Sequence, residues 1–165
     1  MANEQGKLRV FADANILASG NVWPRWPYEV LQHGLKGDYQ LVLNSSVIEE
    51  AHRTLSARFP KGIELFNAFL TTCNYESAAV PTTEAVRAHA TLVRDITDVP
   101  VALATIEAGV DCLVSEDKDL TVRDETTVEL RRRVPIYLSG TFLREMMGWS
   151  TEQLEAVRGR KWTDF

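Results

Sequence analysis

The feature that most restricts this chain is an alternation. Short β-prone runs are separated by segments of helical length and spacing. Leu8 to Ala12, Tyr39 to Leu43, Asp111 to Ser115 and Val134 to Leu138 each have about five residues, the usual length of a strand. Between them lie Trp26 to Lys36, stopped by Gly37, and Ser45 to Arg58, whose Val47, Ile48, Ala51 and Leu55 share one side. Ile63 to Thr72 and Thr83 to Arg94 are further amphipathic helices in this reading. Val99 to Ala108, ending at Gly109, is apolar nearly all round and is expected to be buried. Thr141 to Met147 and Thr151 to Arg158 close the chain, with Ser150 and Gln153 spaced as a capping box. Strands that alternate with helices predict a parallel sheet covered on both faces. Tyr75 to Val80 reads as either strand or loop, and Thr121 to Leu130 is too polar to assign.

A chain of 165 residues suits one domain with a sizeable core. The expected organisation is a domain over residues 1–149, with residues 150–165 a helical tail packed on it. No apolar stretch is long enough to span a bilayer, and Met1 to Lys7 lacks the apolar core of a signal peptide, so a cytoplasmic protein without a membrane partner is expected. The two cysteines, Cys73 and Cys112, are read as small buried hydrophobes, and no Cys/His cluster points to zinc. A net charge of −5 counts against a dedicated duplex-DNA binder. Arg131 to Arg133 and the group Arg158, Arg160 and Lys161 are read as solvated surface. Trp23, Pro24, Arg25, Trp26 and Pro27 form an aromatic–basic knot, for which packing or a dimer contact is preferred to base stacking. No GxSxG elbow, P-loop or GxGxxG is present, which removes support for triad hydrolases, NTPases and dinucleotide binders.

Acids stand where such a fold collects ligands. In open parallel sheets, ligands bind outside the carboxyl ends of the strands. Asp13 directly follows the first strand, and Asp117 follows the third. Asp98 begins the buried helix that feeds the third strand, so a right-handed crossover returns it to the same edge. Glu50 lies in the helix after the second strand; it borders the apolar stripe, whereas Glu49 points further towards water. Gathered carboxylates repel one another and raise their pKa values or demand a cation. Oxygen donors suit Mg²⁺ or Mn²⁺. Each acid also has a plainer reading: Asp98 as a helix N-cap before Pro100, Asp13 and Asp117 as turn residues, Asp119 as the cap of a short helix, and Glu50 as a solvated helix face.

These residues resemble the PIN-domain family. Val10 to Leu17, containing Asp13-Ala14-Asn15, is similar to that family's opening motif. Asn44 to Glu50 is similar to its second, Asp95-Ile96-Thr97-Asp98 to its third, and Leu113 to Leu120 to its last. Glu116 departs from the last motif, where glycine is usual; it is expected to tighten the turn less well or to add charge near a metal. The likeness spans roughly Leu8 to Leu143. It implies a three-layer α/β/α sandwich with a central parallel sheet of four to five strands. It also implies a Mg²⁺- or Mn²⁺-dependent endoribonuclease acting on RNA. Asp13, Glu50, Asp98 and Asp117 would then be the catalytic metal ligands, with Asn15 and Ser115 orienting a ligand or phosphate and Asp119 an auxiliary acid. Many small members are toxins of the VapC type held by an antitoxin, and homodimers are frequent. Two other classes compete: a catalytically silent PIN-fold module that binds RNA or protein, and a flavodoxin-like receiver. The receiver needs an acidic pair at the first strand, where Asp13 stands alone.

Overall fold

The computed structural model describes residues 6–165. Five parallel strands form one sheet: β1 (Arg9–Ala12), β2 (Gln40–Leu43), β3 (Glu76–Ser77), β4 (Cys112–Val114) and β5 (Ile136–Tyr137), in the order β3-β2-β1-β4-β5. The three inner strands carry Val10, Phe11, Ala12, Leu41, Val42, Leu43, Cys112, Leu113 and Val114, all buried. An unbroken apolar run, rather than alternation, is what a strand covered on both faces requires. The expected α/β fold with a parallel sheet flanked by helices is therefore the observed one, with five strands. The stretch from Tyr75 supplies β3, a two-residue edge strand tied to β2 by the Ala78 N–H bond to the Leu43 carbonyl at 2.8 Å. Cys73 and Cys112 are buried and unbridged.

The helices are α1 (Ala14–Ser19), α2 (Trp26–Lys36), α3 (Ser45–Arg58), α4 (Ile63–Thr72), α5 (Thr83–Ala88), α6 (Val99–Ala108), α7 (Lys118–Thr121), α8 (Val128–Arg133), α9 (Ser139–Met147) and α10 (Thr151–Val157). Gly37 and Gly109 end α2 and α6 at φ of 83° and 64°, left-handed conformations that cost glycine little. Asn44 starts α3 by accepting the Val47 N–H at 3.0 Å, and the Ser150–Gln153 capping box starts α10. None of these helices is long and apolar enough to cross a membrane.

Three expectations change. Thr83 to Arg94 is not one helix: α5 stops at Ala88, where the His89 N–H turns back to the Val86 carbonyl at 3.1 Å, and Leu92 and Val93 are buried beyond the break. A short helix absent from the sequence reading, α1, begins directly after Asp13. Arg160 is not solvated surface. Its guanidinium donates to the Pro24 carbonyl at 2.7 Å and pairs with Glu29 at 2.6 Å, while Trp26 Nε1 donates to the Leu154 carbonyl at 3.0 Å. Residues 150–165 are thereby seated against α2 and α9.

Candidate functional site

The sheet turns its connections in opposite directions between β1 and β4: β1 leads to β2 on one side, and β4 to β5 on the other. At such a switch point the carboxyl ends of two neighbouring strands open a crevice. The register pairs Ala12 with Val114, so Asp13 and Ser115 emerge side by side. The Asp13 N–H extends the ladder with a 3.0 Å bond to the Val114 carbonyl.

Asp13 is buried, at 6% exposure, and its carboxylate is held from three sides. Oδ1 accepts the Ala14 N–H at 2.8 Å, which also caps α1. Oδ2 accepts the Ser115 hydroxyl at 2.7 Å and the Asn15 amide at 3.3 Å. Ser115 Oγ in turn accepts the Asp117 N–H at 3.0 Å, and Asn15 Oδ1 accepts the Glu116 N–H at 3.1 Å. Asn15 and Ser115 thus lash the β1 loop to the β4 loop and fix the separation of Asp13 from Asp117. Burial pushes the Asp13 carboxyl up to about 6, against the pull of the Ser115 and Ala14 bonds, with Glu50 and Asp117 adding repulsion.

Asp98 does not cap α6: its side chain makes no capping bond, and its buried Oδ2 has no hydrogen-bond partner. A buried carboxylate oxygen without a donor is costly and calls for an explanation. The Asp117 carboxyl is its charged neighbour. Burial, then Asp117, pushes Asp98 up to about 7. Asp117, not Asp119, caps α7, through the Asp119 N–H at 2.8 Å. Asp119 is instead bonded by the Arg94 guanidinium.

Asp13, Glu50, Asp98 and Asp117 all line one cleft of about 520 Å³, together with Asn15 and Asn44. Glu49 lies outside it, as the helical wheel predicts. Among the described residues, none of the four acids has an ion pair. Asp95, Asp98 and Asp119 form a second acidic grouping, with one carboxylate oxygen of each within 4.8 Å of the others. Two of its members already have partners: Asp119 has Arg94, and Asp95 accepts from Thr97 at 2.9 Å and 2.7 Å. Only Asp98 is left wanting, and it belongs to both groupings. The donor set suits a hard divalent cation, because it offers oxygen alone, excess negative charge and an orphaned carboxylate atom.

Sequence reasoning missed three features. Asn44, the buried cap of α3, lines the cleft. Glu116, expected to disturb the turn, accepts the Ser139 N–H at 2.8 Å and satisfies the start of α9. Trp23 and Arg58 also reach the cleft wall. The Asx-type signal at Asn44 was present in the sequence; the other two depend on contacts with distant segments.

Fold and cleft together define an α/β protein with an acidic pocket at the switch point of a parallel sheet. No protein-family profile matches the chain, and no curated protein matches it in sequence. Among solved structures, it is similar to PAE2754 from Pyrobaculum aerophilum, with a TM-score of 0.58 and 14% identity, over 86% of this chain and 97% of that one. At that identity the likeness concerns the fold alone.

Proposed function

We propose that this chain is a Mg²⁺- or Mn²⁺-dependent endoribonuclease. The observation that carries the metal part is the buried, partnerless Asp98 Oδ2, in a cleft where Asp13, Glu50 and Asp117 add further uncompensated charge. Asp13, Asp98 and Asp117 would hold the cation, with Glu50 reaching it from α3. When bound, such a cation lowers the pKa of a water and offsets charge building on a phosphate. Ser115 and Asn15 hold Asp13 in place, since both donate to its Oδ2. RNA as substrate rests on the motif likeness to PIN domains. So does the extension to a toxin held by an antitoxin, which coexpression with a neighbouring small reading frame would test.

The deciding experiment incubates purified protein with labelled RNA in Mg²⁺, Mn²⁺ or EDTA, beside Asp13→Asn and Asp98→Asn variants checked for folding. Cleavage should require the metal and fall at least about a hundredfold in both variants, the scale of losing a transition-state contact. Wild-type silence on varied RNAs, with no metal-induced rise in Tm, would overturn the reading.

A further inference from the structure

The acids occupy one end of the cleft only. Glu50, Thr54 and Arg58 line it at four-residue spacing on α3, so they share one face of that helix. From Glu50 to Arg58 the helix rises about 12 Å, at about 1.5 Å per residue. At its far end stand Trp23 and Phe59, their rings in a T-shaped contact at 5.1 Å. Beside that contact Trp23 remains 37% exposed. Arg58 is exposed and lies 6.0 Å from the Phe59 ring. Among the described residues it has no ion pair or hydrogen bond. Outside the cleft lining, the Arg25 guanidinium lies over the Trp23 ring at 5.8 Å and donates to the Arg160 carbonyl. The cleft therefore passes from uncompensated acids to the unpaired Arg58 beside a partly exposed indole.

We propose that this far end is a nucleotide subsite, in which Trp23 stacks on a base of single-stranded RNA and Arg58 pairs with a phosphate of the same strand. A single strand is the ligand because paired bases hide their faces, whereas unpaired ones stack on aromatic side chains. At about 3.4 Å per nucleotide along a stacked strand, the span from Glu50 to Arg58 covers about three nucleotides. The subsite rests on the nuclease reading only for the position of the scissile phosphate at the acids.

The test measures binding of labelled oligouridylates of two and eight nucleotides to protein loaded with Ca²⁺, which fills an oxygen site in a looser geometry than Mg²⁺. Under these conditions, Trp23→Ala should weaken the eight-mer roughly tenfold, the scale of one base–aromatic stack. The same change should leave the already weak two-mer within about twofold, because that strand is too short to span the distance. Trp23→Phe should recover most of the loss. Arg58→Gln should reduce the salt dependence by about 0.7 in log–log slope, the value for one phosphate on a single strand. Unchanged eight-mer binding in both variants overturns the subsite, as does an equal loss for both lengths, which marks a purely structural tryptophan. Metal-dependent cleavage by wild-type protein is followed in parallel. Cleavage that persists undiminished in Trp23→Ala and Arg58→Gln removes the subsite and spares the nuclease. Absent cleavage with length-dependent binding removes the nuclease and leaves the strand-binding surface.

Discussion

At the scale of single residues, the cleft is held together by groups that disfavour one another. Asp13 and Asp98 both bind protons more tightly in the fold than in the unfolded chain, at about 6 and about 7 against an ordinary 3.8. The stability these two groups contribute is therefore fully present below about pH 4 and is lost as pH rises through these values. Buried Asp13 alone costs the metal-free protein about 3 kcal/mol by neutral pH; solvent screens the half-exposed Asp98, so its share is smaller. Chemical melts of metal-free protein should show stability falling between pH 4 and 8, and saturating Mn²⁺ should flatten that fall. A profile that is flat without metal would refute the strained-acid account. By the same argument, Asp98→Asn should stabilise the metal-free protein at pH 8 by about 1 kcal/mol, since an amide needs no cation and can donate to Asp117. It should also abolish the metal-induced rise in Tm. A variant less stable than wild type at pH 8 would mean that the orphaned oxygen is satisfied in some other way.

At the scale of elements, two contacts couple the site to the helices behind it. Glu116 links the β4 loop to the first turn of α9, and Gly140 lets that helix close on α2. A Cβ at Gly140 would lie 2.9 Å from the Trp26 ring, which is too rigid to yield. Gly140→Ala should therefore destabilise the protein by about 1–3 kcal/mol in urea melts, despite the better helix propensity of alanine. A stabilised variant would show that α9 can slide. Glu116→Ala should cost about 1 kcal/mol through the lost cap, and Glu116→Gln, which keeps an accepting oxygen, much less. Equal losses in the two variants would assign the effect to charge instead. A glycine at this position, the usual residue in the motif Glu116 departs from, would leave the Ser139 N–H to water.

Across the whole molecule, the last residues decide whether the first helices stay in place. Arg160 pairs with Glu29, both largely buried, and Arg25 Nε returns a bond to the Arg160 carbonyl at 3.2 Å. Arg160→Ala leaves Glu29 charged and unpaired, which should cost about 3 kcal/mol. The double variant Arg160→Ala/Glu29→Ala should recover part of that cost. No recovery would show that packing of the arginine stem matters more than its charge.

Periodicity and punctuation already contained most of the architecture. The bounds of α2, α3, α4 and α6 coincide with their apolar stripes, caps and glycine stops, because these signals act within a few residues along the chain. The same locality made Asp13 and Asp117 legible: each follows a strand directly, and a parallel sheet sends both to one edge. Local signals do not report contacts between distant segments. The pairing of Arg160 with Glu29 and the use of Glu116 as a cap for α9 each need a partner far away in sequence. Asp98 shows the division most clearly. As a sequence it is an acid before Val99 and Pro100 and reads as a helix cap; only packing against the β4 loop turned its carboxylate away from the backbone amides and towards Asp117. Local chemistry determined which acids lie at the sheet edge. Burial and long-range packing decided which of them lacks a partner, because desolvation and charge repulsion depend on what surrounds a group in space.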